Sequence, residues 1–533
     1  MSTEPKVFGE IALSLSGGGY RAAAYHLGVL DMLDRLDLLN DVGSLSTVSG
    51  GTITGLYYAV CKTESKSFDH FFVELYGFLN NRNIVSRAFE IISGSPANNV
   101  SPSLIKAAAQ VYGSDDFLGD RRFGLLLDSD ETHLSEQIFN ATDFLHGVSF
   151  RFLKSDSDRA LIGNLYASMP KEIAREVRLA DIVAASSCFP SVFEPLAFPD
   201  DFHWDANHSI ETLREGLGAG FEKPIALMDG GIFDNQGVDS IKQVYRRQGK
   251  EIGLFIISDV DNRADELYAI PPSKAKGWIS LGTMTHLSWG LFVTGVISLG
   301  LLSLFAYVSY RSRELSPLMV GLLFGVPGLF TVAVLAAMAY VRGKVNEVSD
   351  LAEKTAGVDL WPFLKPLSIP DLINLGRSRI SSLITMSSSL FMKRIRDLTF
   401  YGLFTHSKYR DRLVPALIYD LLDPEYFPDA AAADTTIDES DRSPKKCSDQ
   451  LVATVLKAKE YETNLWFFDE DELKSLISCG QATLCLKVIR YLEKQKMAEI
   501  KIASSKEALL YTLALEHWYR LDENSYGLLG RGN

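Results

Sequence analysis

Cysteine is scarce in this sequence: there are five in 533 residues, none in a C-x-x-C spacing. Cys61, Cys188, Cys447, Cys479 and Cys485 are odd in number and scattered, which argues against a disulfide framework or a zinc site and for buried free thiols in a reducing compartment. A basic excess is missing too. With 53 Lys plus Arg against 67 Asp plus Glu, the net charge is −14, which argues against a general phosphate-backbone binder, and nucleic acid is not an expected partner. The stretch Met1 to Ile11 has no basic segment followed by an apolar run, so no cleaved signal peptide is expected. Internal repeats are absent, and so is any Asp-rich calcium loop, and no metal or other cofactor is expected.

Long apolar runs, by contrast, are present. Leu287 to Tyr310 is 24 residues without a charge and Leu315 to Val341 another 27, each above the roughly 20 that cross a bilayer core. The four residues between them, Arg311 to Glu314, permit only a tight antiparallel hairpin. Two spans are therefore predicted, with both flanks on one side; a hairpin buried in a soluble core is the competing reading. Lys274, Lys276, Arg342 and Lys344 on the flanks outnumber Arg311 and Arg313 in the loop, which places the soluble parts in the cytoplasm. Pro327 would kink the second span, and Gly321 and Gly325 could form a helix-packing face.

At this length two to four structural units are expected. From Val7 the residues Ile11, Leu13 and Leu15 alternate as in a strand, then Gly17-Gly18-Gly19 lead to a helix from about Tyr20 to Leu36. A second strand near Gly43 to Val48 meets a helix from about Thr52 to Cys61 across Ser49-Gly50-Gly51. Further strands are suggested at Val148 to Leu153, Ile225 to Met228 and Ile252 to Ser258. Strands alternating with helices predict an α/β fold with a largely parallel central sheet, whose active residues sit at the carboxyl ends of strands. Residues 90–135 and 199–222 read as loops or insertions. The predicted organisation is a catalytic core over 1–270, a juxtamembrane linker over 271–286, the transmembrane hairpin over 287–341 and a helical continuation over 342–427. A disordered acidic linker follows over 428–450, then a C-terminal helical segment over 451–533, in which Gly480 would end a helix begun near Asp469.

Thr47-Val48-Ser49-Gly50-Gly51 falls where a strand meets a helix, the setting of a nucleophile elbow, in which a strained turn exposes a serine hydroxyl and the helix N-terminus adds positive potential. Thr47 stands where the usual G-x-S-x-G pattern has glycine. Ser16 to Arg21, with three consecutive glycines, can aim several backbone N–H groups at one point. It lacks the Gly-Lys-Ser or Gly-Lys-Thr of a Walker loop and the G-x-G-x-x-G of a dinucleotide site, so an oxyanion hole is a stronger reading than a phosphate cradle or plain turn. Asp229-Gly230-Gly231 puts a carboxylate at a strand's end beside two small residues. Other groups could serve: His146, His203 or His208 could complete a conventional triad, His26 could be a base, and Cys188 a thiol nucleophile. Ile182 to Ala185 and Phe189-Pro190 around Cys188 read instead as packing.

Taken in order and spacing, these three motifs resemble the signature of the patatin-like phospholipase family: a G-G-G-x-R loop near the N-terminus, a serine elbow, and a distant Asp-Gly-Gly. Asn140 to Phe152 and Leu179 to Phe193 also look like segments of that family, so the resemblance covers about residues 7–260. It implies a Ser-Asp dyad, with Ser49 as nucleophile, Asp229 as its base, and Gly17, Gly18 and Gly19 as an oxyanion hole stabilised by Arg21. Gly50, Gly51, Gly230 and Gly231 would support the two turns. The implied activity is hydrolysis of acyl esters of phospholipids or lysophospholipids through an acyl-serine intermediate, on membrane lipid as substrate and without a cofactor. A non-lipid esterase or thioesterase with the same dyad, or a membrane scaffold with a vestigial site, are the rivals. Asp234 and Asn235 would shape the turn that presents Asp229.

Overall fold

The computed structural model describes residues 6–94, 103–130, 132–190, 192–205, 209–261, 280–312, 366–422, 446–499 and 506–531, with isolated positions elsewhere. It divides into two compact units, one of residues 1–265 with 387–533 and one of 266–386.

The first unit is built on a ten-stranded sheet. Its parallel part runs β10 (Leu413–Leu417), β9 (Leu254–Asp259), β1 (Ile11–Leu15), β2 (Val42–Val48) and β3 (Glu136–Asp143). β1 and β2 are buried along their whole length. This explains why Ile-Ala-Leu-Ser-Leu and Val-Gly-Ser-Leu-Ser-Thr-Val carry only apolar or small residues, as strands covered on both faces must. β4 (Val148–Lys154) pairs antiparallel with one edge of β3, and β8 (Ile225–Asp229) pairs antiparallel with its carboxyl end, Ala141 facing Asp229. Three short strands, β5 (Ile162–Gly163), β6 (Ser168–Met169) and β7 (Leu196–Phe198), complete the sheet. The α/β expectation and the mostly parallel centre agree with this arrangement, and the strand at β3 adds to those suggested by alternation alone.

Helix α1 (Gly19–Arg35) follows β1 and helix α2 (Gly50–Thr63) follows β2. Both regions expected to be loops contain helices, among them Ile84–Gly94, Leu104–Tyr112 and Ile210–Leu217. The region expected to continue as helices also contains β10, an edge strand that tolerates Pro415 because its outer side needs no ladder bond.

The C-terminal helices belong to this same unit. Helix Glu470–Glu499 runs straight through Gly480, so that glycine does not end it. A Cβ there would lie 2.1 Å from the Tyr25 carbonyl oxygen, and one on Gly28 would lie 2.0 Å from that of Ile477. The two glycines let this helix and α1 cross backbone against backbone, which is what Gly480 is for.

In the second unit, helix Leu281–Arg311 opens on Ser280, whose side chain accepts from the Thr283 N–H. Its stretch Phe292–Arg311 has a mean hydropathy of 1.9 and is only 6% buried. Among the described residues it is the one helix long and apolar enough to cross a membrane. It contains most of the first expected span; the second, Leu315 to Val341, and the expected linker over 428–450 lie largely outside the described residues.

Candidate active site

Ser49 sits between the last residue of β2 and the first of α2, with φ 51° and ψ −119°. That conformation is strained for a residue with a Cβ, and it turns the chain sharply enough to present the side chain at the strand's end. The turn is possible only because its neighbours are small. A Cβ on Gly50 would meet the Gly19 carbonyl oxygen at 2.0 Å, and one on Gly51 the Leu15 carbonyl oxygen at 2.5 Å. Thr47 needs no glycine at its position, since it lies in β2, has no positive φ, and shares a hydrogen bond with the Thr52 hydroxyl at 2.9 Å.

Asp229 ends β8 and is 3% exposed. Burial raises its pKa from 3.8 to about 6, against the opposing effect of hydrogen bonds from the Ser49 side chain and the Gly231 N–H. The Gly231 bond to Oδ1 is 2.7 Å. Ser49 and Asp229 are thus brought close enough for the serine to act on the carboxyl's pKa, although 180 residues separate them in the chain. Ser186, which motif reading passed over inside the Leu179 to Phe193 segment, locks both turns. Its hydroxyl accepts from the Ser49 N–H at 2.9 Å and donates to the Asn140 carbonyl at 2.6 Å, while its own carbonyl accepts from the Gly230 N–H at 3.1 Å.

The glycine loop lies against this pair, a Cβ on Gly17 falling 3.1 Å from that of Ser49. The Gly17 N–H is engaged, donating to the Asn235 carbonyl at 2.9 Å. The amides of Gly18, Gly19 and Gly50 have no backbone acceptor outside the helices among the described residues. Gly18 and Gly19 take φ 145° and 59°, values that favour glycine. Asn235 touches both sides of the site: its Oδ1 would lie 2.4 Å from a Cβ on Gly17 and 2.5 Å from one on Gly231.

Arg21 makes its contacts elsewhere. Its guanidinium donates to the Tyr461 carbonyl at 3.0 Å, and burial lowers its pKa to about 10 while nearby Asp259 opposes that shift. Three residues further on, the Asn464 carbonyl accepts the Tyr20 N–H at 2.8 Å and would touch a Cβ on Gly19. The loop is therefore buttressed by the segment Tyr461–Asn464, a contact no local motif announces.

The side chains of the other described sequence candidates are engaged elsewhere, although the Cys188 carbonyl accepts the Asp229 N–H at 2.9 Å. His26 is buried between Ser258 Oγ at 2.7 Å and the Ser16 carbonyl at 2.9 Å, and burial lowers its pKa to about 4, so it joins β1 to β9 as a neutral ring. His146 is paired with Asp143 at 2.7 Å and stacked on Tyr166. The His203 N–H donates to Asp181, and His208 lies outside the described residues. The Cys188 thiol donates to the Glu194 carbonyl, and burial pushes its pKa up, away from a reactive thiolate.

A strand-turn-helix serine facing a carboxylate across a mostly parallel sheet defines an α/β protein of hydrolase layout. The Patatin-like phospholipase family model matches residues 13–241. This part of the chain is a patatin-like phospholipase domain. Among solved structures, the chain is similar to human GIVD cytosolic phospholipase A2, at 15% identity and a TM-score of 0.29, covering 47% of this chain and 45% of that one. It is also similar to VipD from Legionella pneumophila, at 12% identity and a TM-score of 0.23, covering 96% and 91%. No curated protein matches the sequence. The buttress at Tyr461–Asn464 falls outside the matched region.

Proposed function

We infer that the protein hydrolyses acyl esters of membrane phospholipids or lysophospholipids, with Ser49 as nucleophile and Asp229 as general base. The observation that carries this reading is the approach of the Ser49 side chain to the buried Asp229 carboxylate, close enough to act on its pKa. A carboxylate with a pKa of about 6 is ionised at neutral pH yet basic enough to take a proton in the transition state. Ser49 Oγ attacks the ester carbonyl carbon as its proton passes to Asp229. The negative charge that develops on the carbonyl oxygen is met by the Gly18, Gly19 and Gly50 amides and by the N-terminus of α2. Collapse expels the lysolipid or glycerol-based alcohol, which takes the proton from Asp229 and leaves an acyl-serine. Asp229 then deprotonates water, which attacks the acyl carbon, releases the fatty acid and restores Ser49.

Leu287 to Tyr310 and Leu315 to Val341 serve as a two-span anchor in this reading, holding the catalytic unit on the cytoplasmic face, where lipid is reached without leaving the bilayer. The basic flanks and the exposed apolar face of Phe292–Arg311 support it. Lipidomics of membranes incubated with the wild type and with Ser49→Ala tests the function: lysolipid and free fatty acid should accumulate with the first alone. Equal release by both would sink the assignment. For topology, a Cys introduced at Ser312 should react with a membrane-impermeant reagent on intact cells and one at Ser349 should not; the reverse pattern overturns the cytoplasmic placement.

A further inference from the structure

Away from Ser49, a cleft of about 500 Å3 opens between β4, β5 and the helix Val238–Gln248, within the roughly 300 to 1,000 Å3 of small-molecule sites. Its floor is apolar, with Ile138, Val148, Leu153 and Val244, and its lining contains four arginines and no acidic side chain. In a chain of net charge −14 this is a local inversion of sign. Two of the arginines are held from behind, Arg151 by Asp239 at 3.4 Å and Arg247 by Glu136 at 2.9 Å. The other two, Arg159 and Arg246, are exposed and have no carboxylate partner among the described residues. Beside them Leu165 is 89% exposed and Tyr166 60%. Side chains of that kind cost free energy in water unless something apolar meets them.

We propose that this cleft binds an amphiphile with an acyl chain and an anionic head group, the chain along Val148, Leu161 and Leu165 and the head between Arg159 and Arg246. Arginine guanidinium suits carboxylate and phosphate alike, through paired N–H donors. A free fatty acid and an anionic phospholipid share this chemistry. The cleft is also tied to the strand that delivers Ser49: Arg151 Nε donates to Ser240 Oγ at 2.8 Å, Ser240 Oγ to Asn140 Oδ1 at 2.6 Å, and Asn140 Nδ2 to the Thr47 carbonyl at 2.9 Å. The proposal does not depend on the chemistry of Ser49.

The test uses the full chain as the Ser49→Ala variant in phosphatidylcholine nanodiscs, so that no lipid is consumed. A diazirine-bearing fatty acid is added in one arm and diazirine-acyl phosphatidate in the other, and the crosslinked peptides are identified by mass spectrometry. Labelling of Leu161 to Tyr166 and Val244 to Arg247 is expected; from the first probe alone it identifies a free fatty acid, and from the second a bilayer lipid. A diazirine fatty alcohol should label about tenfold less, and the Arg159→Ala, Arg246→Ala double variant should lose a similar factor with an unchanged Tm, because two cations that neutralise the head group are absent. Absence of these peptides from both anionic arms, equal labelling by the alcohol, or indifference to the double variant would overturn the proposal.

Discussion

Asp229→Asn should make the protein more stable while removing its activity, and the size of the gain follows from burial. Folding raises the Asp229 pKa from 3.8 to about 6, so the folded state binds that proton more tightly than the unfolded chain. Stability that is fully present below about pH 4 is then lost as pH rises through about 6, and the ionised group costs the fold about 3 kcal/mol at pH 7.5. Asparagine keeps the shape and can still accept the Gly231 N–H, but carries no charge. The variant should therefore gain up to about 3 kcal/mol at pH 7.5, roughly 3 °C in Tm, and about half as much at pH 5, where most of the wild-type carboxylate is protonated. Tryptophan fluorescence during thermal unfolding in nanodiscs, at pH 7.5 and pH 5, gives both numbers. In parallel, wild-type kcat/KM on a short-chain ester should fall about tenfold per pH unit below 6, since only ionised Asp229 can accept the Ser49 proton. An Asn variant no more stable than wild type at pH 7.5, or one whose advantage grows toward pH 5, would refute the reasoning.

A fluorophosphonate probe should label Ser49 alone, and Ser49→Ala should abolish labelling and turnover together; modification at another serine, with Ser49 untouched, would move the nucleophile. Gly19→Ala meets both a positive φ and the Asn464 carbonyl, so kcat should drop about 10² to 10³ as the donor shifts, whereas Gly77→Ala, with nothing within 4 Å, should leave kcat unchanged. Gly28→Ala drives a methyl into the Ile477 carbonyl and should lower stability by about 1 to 3 kcal/mol or more, measured by urea unfolding; a neutral result would contradict the helix crossing. Deleting residues 287–341 behind a flexible linker should spare cleavage of a soluble ester and depress cleavage of bilayer lipid; full activity on bilayers after the deletion would argue against an anchor.

The parts of the fold that were legible in the sequence are those written locally. The strands at Ile11–Leu15 and Val42–Val48 announce themselves through short buried runs that stop at glycine turns, and Ser49 and Asp229 each sit beside the small residues their turns require. β10 was hidden because Leu413–Leu417 is five residues long, contains a proline, and finds its partner, Leu254–Asp259, 158 residues upstream. Gly480 misled for a related reason: a glycine that ends a helix and one that lets two helices touch look alike until the partner, Gly28, is known. Arg21 carried an expected role at the oxyanion, yet its hydrogen bond goes to the Tyr461 carbonyl, and nothing near Arg21 in the chain points to residue 461.

That long reach also orders events in time. The glycine loop leaves the ribosome well before the carbonyl that Arg21 grips, which comes 440 positions later. Between the two emerges Leu281–Arg311, the apolar helix suited to a bilayer. A nascent chain can fold β1, α1 and the elbow early, but its glycine loop has no buttress until Tyr461–Asn464 has been made and helix Glu470–Glu499 has docked across Gly28. The glycine loop is thus left without its buttress while the chain is still being synthesised, and the buttress is completed only after Leu281–Arg311 has emerged.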